Sequence, residues 1–383
     1  MSLTVDVHVL QTIPPSLINR DDMGAPKSAR YGGVQRQRVS SQAWKRAVRQ
    51  DFAKRFPAEV MGKRTRLVGE LICKRIFEIT EEAGEKWETQ RAIDGVKNLF
   101  TGAKLKLKDA KSKNDETEED AKIAYPELGY LLFLGNHQID RAARAIIDKD
   151  GEKFKKNEAQ AILDTEHSID IAMFGRMVAD DAAFNVDASV QVAHALGIHE
   201  TEPEFDYFTA VDDATADNEE TGAGMIGTVQ MMSSTLYRFA SVDFESLASN
   251  LNDVKTAVDS AAAFVDSFVK SLPTGKQNTF AHNTLPELVY VTISDDRSVS
   301  LVNAFEEPVE AGAAGRSKLG AEKLAQEAIE TQRMYGLKPT AQFVAGIRGL
   351  DGYFTEFADS VTIPELEERV ADVLNSLISE KKK

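Results

Sequence analysis

One cysteine, two tryptophans and no long apolar run occur in these 383 residues. A single cysteine, Cys73, excludes an internal disulfide and argues against a cysteine-based metal site. It stands in RLVGELICKRIF, where the apolar spacing makes it a buried helix residue. No stretch approaches the roughly 18 apolar residues of a membrane span. The opening MSLTVDVHVLQTI has neither a basic n-region nor a small-residue cleavage site, so it reads as a strand and not as a signal peptide; a cytoplasmic protein is expected. The six histidines show no HxH or HExxH spacing, and His194 and His199 lie five apart beside Glu200 and Glu202. Neither a GxxxxGK[ST] phosphate loop nor a GxSxG elbow is present, and the glycines of TGAGMIG (221–227) have no lysine after them and read as a turn. The carboxylate pairs Asp21/Asp22, Asp180/Asp181 and Asp212/Asp213 are sequence neighbours whose side chains diverge, so they read first as turns or ion-pair partners. No catalytic residue, metal or cofactor is expected.

Charge is what the sequence does have, and it is unevenly spread. The chain carries a net charge of -15, yet residues 1–66 hold 13 Lys and Arg against 5 Asp and Glu. Between Asp22 and Asp51 there are seven cations (Lys27, Arg30, Arg36, Arg38, Lys45, Arg46, Arg49) and no acid. Salt screens charge beyond about 8–10 Å, so a local strip attracts a polyanion despite an acidic whole. Lys45 and Arg49 sit one turn apart near a helix start whose backbone N–H groups favour anions. Ser40, Ser41 and Gln42 add neutral donors of the kind that fix phosphates. Arg20 and Lys27 lie on a glycine-bearing loop. A solvated helix face explains isolated cations, but an unbroken run of one sign favours nucleic acid.

Residues 3–12 alternate Leu3, Val5, Val7 and Val9 on one face of a half-covered strand. A polar loop (19–35) precedes a helix starting at Ser40 or Ser41, with Trp44, Val48 and Phe52 as its buried stripe. From about 60 to 165 the pattern is helical, including PELGYLLFLG, and is broken by the charged KLKLKDAKSKNDETEEDAK (104–122). SIDIAMFGRMV (168–178) and VDASVQVAHAL (186–196) read as strands, 199–227 as a protruding loop or hairpin. A strand, one long helix (243–272), a further strand and two helices (317–334, 363–382) complete the chain. Without the insertion the order is β-α-β-β-α-β, the ferredoxin-like or RRM-like plan, whose sheet is a common platform for RNA. Tyr207 and Phe208, in DYFTAVDD, are aromatics in a polar protrusion with little local core, suited to packing back or to wedging against bases.

Taken together, NRDDMGAPKSARYGGVQRQRVSSQAWKRAVR, SIDIAMFGRM, DYFTAVDD, SSTLYRFASVD, GKQNTFAHN and SLVNAFEEPV are similar to the CasC (Cse4) family, the guide-RNA-binding backbone subunit of the type I-E CRISPR complex Cascade. The likeness covers most of residues 3–306; 104–122 and 310–383 match poorly. It implies an α+β fold: a modified RRM/ferredoxin-like palm (1–59, 181–198 and 231–383, the last with C-terminal helices), an inserted helical fingers domain (60–180) and a thumb hairpin (199–230). It also implies several copies along one CRISPR guide RNA, contact with target DNA and with other Cascade subunits, and no enzymatic activity. Carried over residue by residue, the RNA contacts fall on Arg20, Lys27, Ser40, Gln42, Lys45, Arg49, Lys276 and Asn278, with Met177 at the fingertip and Phe208 and Thr209 at the thumb. Lys149, Lys153, Lys155 and Lys156 correspond to a DNA-binding fingers helix, although the register is shifted and Glu152 intrudes. Two rivals stand beside this reading: a metal-dependent, target-RNA-cleaving backbone subunit using Asp21 or Asp22, and a plain interaction protein with an acidic partner.

Overall fold

The computed structural model describes residues 3–108, 124–178, 181–210, 225–310, 312 and 315–381. Most of the charged 104–122 segment, together with Asp180, Asp212 and Asp213, lies outside the described residues. The chain divides into two compact units, Met1–Asp51 with Gln191–Phe244 and Val258–Lys383, and Phe52–Val190 with Glu245–Ala257. The second unit is therefore wider than the expected insertion at 60–180. Among the described residues no helix is long and apolar enough to cross a membrane.

The first unit is built on a mixed sheet whose main path runs Asp359–Ser360, Ala341–Gly346, Leu288–Ser294, Thr4–Ser16, Met225–Asp243, Ala195–Gly197, Val34–Val39, Ser28–Tyr31. Its central members follow the chain order strand, helix (Ser41–Arg55), strand, strand, helix (Val254–Lys270), strand. In space the four strands lie fourth, first, third, second, all antiparallel to their neighbours. The first strand is buried along almost its whole length, not half-covered. On one face Val5, Val7 and Val9 are enclosed, each burial worth roughly 1.5–3 kcal/mol. On the other, Leu10, Tyr237, Phe239, Leu288 and Tyr290 form a core with Leu324, Ala325 and Ala328 of the helix Arg316–Tyr335. Gly320 allows that approach, since a Cβ there would stand 2.7 Å from Ile198 Cδ1. Covering this face buries His8, so its pKa falls to about 3 through loss of solvation. The neutral ring lies with Nδ1 2.9 Å from the Tyr237 hydroxyl, which itself accepts the Leu301 N–H.

Three local readings change. The 19–35 loop contains a hairpin, Ser28–Tyr31 paired with Val34–Val39. Gly32 and Gly33, at φ 57° and 81°, make its two-residue turn, a conformation glycine adopts without steric cost. The long helix after residue 243 is two, Phe244–Leu251 and Val254–Lys270; Asn252 is left-handed and Asp253 caps the second by accepting the Thr256 N–H. An additional strand, Ala341–Gly346, extends the sheet beyond Leu288–Ser294.

The second unit is mainly helical. Val68–Glu82, Thr89–Gly102, Asn136–Asp148 and Lys156–Asp164 enclose a core that includes Ile72, Val96, Leu99, Phe100, Ile139 and Ile146. Cys73 is buried in it, its thiol pushed up to about 12 by desolvation, with a smaller push from Glu70, and is thus unreactive. PELGYLLFLG is not helical: Glu127–Leu128 and Leu132–Gly135 are short strands, the latter pairing with Gly62–Thr65. Conversely, SIDIAMFGRMV is not a strand but holds the helix Ile169–Phe174. Ile169 to Met173 are all buried, so alternation carried no information. Ser168 before the helix and Gly175 after it, at φ 76°, were the punctuation that mattered.

One member of the basic strip belongs to this architecture and not to any surface. Arg36 is 0% exposed, and its guanidinium donates to the carbonyls of Tyr31, Gly197, Phe305 and Glu306 at 3.0–3.2 Å. Arg36→Ala strands two buried and two part-buried acceptors and is expected to lower the unfolding free energy by about 3 kcal/mol. Urea denaturation measures this, and an unchanged midpoint would mean the guanidinium is solvated.

Candidate nucleic-acid interface

The helix Ser41–Arg55 begins where the basic strip meets the sheet. Asn19 ties the preceding loop to this point: its Oδ1 accepts the Ser40 N–H at 2.9 Å and its carbonyl the Lys27 N–H at 2.9 Å. Ser40 is only 5% exposed, and its carbonyl accepts the N–H groups of Ala43 and Trp44. It therefore serves the helix start, while Gln42 next to it is exposed. Trp44 and Val48 are buried as expected. Asp21 accepts the Met23 and Ala25 N–H groups at 3.0 and 2.9 Å. Its carboxylate thus holds a turn instead of pairing with the strip's arginines. Among the described residues no group of three or more His, Cys, Asp or Glu is placed to hold a metal ion.

At 100° per residue, Lys45 and Arg49 emerge on one flank of the helix and Ala43, Arg46, Ala47 and Gln50 on the other. The second flank lines a cleft of about 480 Å³ with Leu17, Ile18, Asn19, Arg20, Pro273, Thr274, Gly275 and Lys276. Three cations and two amides border it, and no carboxylate does. Arg20 and Lys276, two of the contacts implied by the resemblance, thus line one cleft together with Arg46, which the resemblance does not include. The helical wheel held that signal, since Arg46 and Gln50 share a face with two alanines small enough to leave room. Lys45 and Arg49 are half-buried and do not line this cleft; burial lowers the Lys45 pKa below its ordinary value.

Lys276 is delivered by a constrained loop. It has a left-handed backbone (φ 51°), as does Ala281 (φ 46°), on either side of the short helix Gln277–Phe280. Such non-glycine positions cost roughly 1–2 kcal/mol each and persist because the surroundings impose them. Buried His282 lies with Nε2 3.1 Å from the Pro273 carbonyl, and only an N–H can bond there. Gly275 packs so tightly that a Cβ would stand 2.2 Å from the Ile18 carbonyl oxygen. Asn278 is exposed at the outer end of the turn.

In the hairpin, Glu204–Ala210 pairs with the start of Met225–Asp243, Phe208 opposite Gly227. The Phe208 ring lies over that glycine and fills the place a side chain would take. Phe205, Tyr207, Phe208 and Thr209 are all exposed. Gly222, Gly224 and Gly227 have GxGxxG spacing, but Gly227 is inside a strand and no helix follows, as a dinucleotide-binding loop requires.

Within the second unit, Met177 is 81% exposed between buried neighbours, Arg176 and Val178. Arg176 pairs through its backbone with Val186, and its guanidinium donates to the carbonyls of Phe184 and Phe133 and to Asp164. The Val178 N–H donates to Asn185 Oδ1 at 2.7 Å. The methionine is therefore displayed from a doubly anchored loop. In the same unit Lys149 is committed to Glu158 at 2.8 Å and lies over the Phe154 ring, whereas Lys153, Lys155 and Lys156 are exposed.

Residues 5–369 match a protein-family model described as CT1975-like protein. No curated protein matches the chain. Among solved structures, one chain of a "CRISPR RNA-guided surveillance complex, pre-nicking" is 30% identical, with a TM-score of 0.79, covering 96% of this chain and 99% of that one. A second, from a "CRISPR RNA-guided surveillance complex", is 26% identical with a TM-score of 0.69, covering 97% and 99%.

If Gly275 is what admits its loop to the cleft wall, Gly275→Ala lowers stability by about 1–3 kcal/mol. The matching change at Gly352, where a Cβ would meet nothing within 4 Å, does not. Thermal denaturation of both variants decides this; equal melting temperatures would show that the loop yields freely.

Proposed function

The chain belongs to the CT1975-like protein family, and from that premise we propose that it is a guide-RNA-binding backbone subunit of a CRISPR surveillance complex of the type I-E, DNA-targeting kind. In this reading the first unit is an RRM-like palm, the second the helical fingers, and the hairpin pairing 204–210 with 225–231 the thumb. Several copies line one guide, meet further complex subunits, and leave guide segments free to pair with target DNA.

The observation that carries the proposal is the cleft bordered by Arg20, Arg46 and Lys276 with no carboxylate, in a chain of net charge -15. A subunit that accepts any spacer sequence must hold phosphates, which are common to all sequences, and leave base identity to pairing. Cations and amides at a cleft wall do this. Exposed Phe208 and Met177 suit the complementary task, because an apolar wedge interrupts base stacking without reading a base edge. No step of such a mechanism needs a proton transfer or a nucleophile.

The expected behaviour of Arg20→Ala with Arg46→Ala is a loss of affinity similar for unrelated single-stranded RNAs. The slope of log K against log salt flattens by about 1.4, two contacts at about 0.7 each. Fluorescence anisotropy across a salt series measures it, and a loss confined to some sequences would contradict a backbone grip. Phe208→Ala is expected to leave binding of one subunit nearly intact while erasing the periodicity of a nuclease footprint on an RNA bound by several. A protein that stays monomeric and free of nucleic acid with added guide RNA would remove the proposal altogether.

A further inference from the structure

A second cationic group lies on and beside the hairpin Ser28–Tyr31/Val34–Val39; none of its side chains lines the cleft, although the Lys27 N–H donates to the carbonyl of Asn19, which does. Arg38 donates from Nε to the Ser28 carbonyl at 3.2 Å, and its Nη1 stands 2.9 Å from Nδ1 of His194. An arginine has only donors, so Nδ1 is the acceptor and the exposed imidazole is neutral with its proton on Nε2. The backbone N–H of Arg38 donates to the Lys27 carbonyl at 2.9 Å, which brings Lys27 to the same place. Two of the five guanidinium N–H donors are thus used, and the other three have no acceptor among the described residues. The charged groups acting on His194 are Arg38, from the neighbouring strand, and Lys27, from the segment before the hairpin; both, after desolvation, lower its pKa. None of the ion pairs among the described residues involves these three side chains.

We propose that Lys27, Arg38 and His194 form a second phosphate-binding site, at which His194 takes up a proton as a nucleic-acid phosphate binds. The inference rests on the nucleic-acid reading above and adds a site and a regulation to it. Without ligand, two cations oppose a third charge on the imidazole. A phosphate between them cancels that repulsion and stabilises the imidazolium. Protonated Nδ1 no longer accepts from Arg38, so the Nη1 donor and the new imidazolium N–H both turn to the anion. Because the bound state holds more protons than the free state, affinity is highest below the free-state pKa of His194. It falls as pH rises through the window up to the bound-state value, which for a histidine lies within about pH 5–8.

Anisotropy titrations of a labelled single-stranded RNA at constant ionic strength, from pH 5.5 to 8, test this with the full chain, His194→Gln and His194→Lys. The wild type is expected to lose affinity with rising pH, about tenfold for each unit by which bound phosphate raises the imidazole pKa. His194→Gln should lack that component, and His194→Lys should bind tightly without it. Calorimetry in two buffers of different ionisation enthalpy should show proton uptake in the wild type only, and equal thermal melts exclude misfolding. Parallel pH profiles for wild type and His194→Gln overturn the inference while leaving RNA binding intact. Absence of RNA binding at every pH overturns the underlying reading and this site with it.

Discussion

The guanidinium of Arg238 lies 3.7 Å from the centre of the Trp44 ring and 4.5 Å from that of Phe268, enclosed by protein on all sides. It projects from the long strand Met225–Asp243 and donates to Gln11 Oε1 at 2.6 Å and to the Phe268 carbonyl. Burial pulls its pKa down to about 9, so it remains charged at neutral pH. A buried cation that keeps its charge is costly without partners, and here both Nη atoms are hydrogen-bonded while Nε has no acceptor among the described residues. Those partners come from the first strand, the long strand's own helix neighbour and the helix carrying the basic strip. Trp44 covers this charge from the same helix that carries Lys45, Arg46 and Arg49. The helix that lines the cleft is thus packed against an interior cation.

Buried arginines recur where loops and turns are tied to the body of the fold. Arg36 binds the hairpin to the segment around Phe305, and Arg176 anchors the loop displaying Met177. Each satisfies several backbone carbonyls that no strand or helix would otherwise use, a role for which a planar fork of donors is better suited than a lysine ammonium. A net charge computed over the strip therefore mixes two populations. Some cations stabilise the fold from inside, and others face solvent where a polyanion can reach them.

Much of the fold was legible because it depends on neighbours in sequence. The start of the helix at Ser41, its Trp44–Val48 stripe and the two C-terminal helices follow from periodicity and punctuation within a few residues. PELGYLLFLG and SIDIAMFGRMV were misread because the runs Leu132–Gly135 and Ile169 to Met173 within them are buried without a break, and a run buried on every side has no period to detect. The Gly32–Gly33 hairpin was missed although the glycine pair is a turn signal, because the strands on either side are polar and charged. Full burial of Thr4, Asp6 and His8 was invisible as well, since the helix that covers that face lies three hundred residues further along the chain.

By itself, then, the sequence determined the inventory: an acidic chain with a basic strip, a helix start within it, exposed aromatics in a polar protrusion, and a set of blocks that mark a family. These are properties of composition and local spacing. Tertiary structure alone decided which cations meet. Residues 17–20, 43–50 and 273–276 line one cleft, and Arg38 reaches His194, because sheet pairing and a glycine-permitted close approach join segments far apart in the chain. It also decided that Arg36 faces inward and Arg46 outward, a choice that rests on where the core lies and that charge alone cannot express.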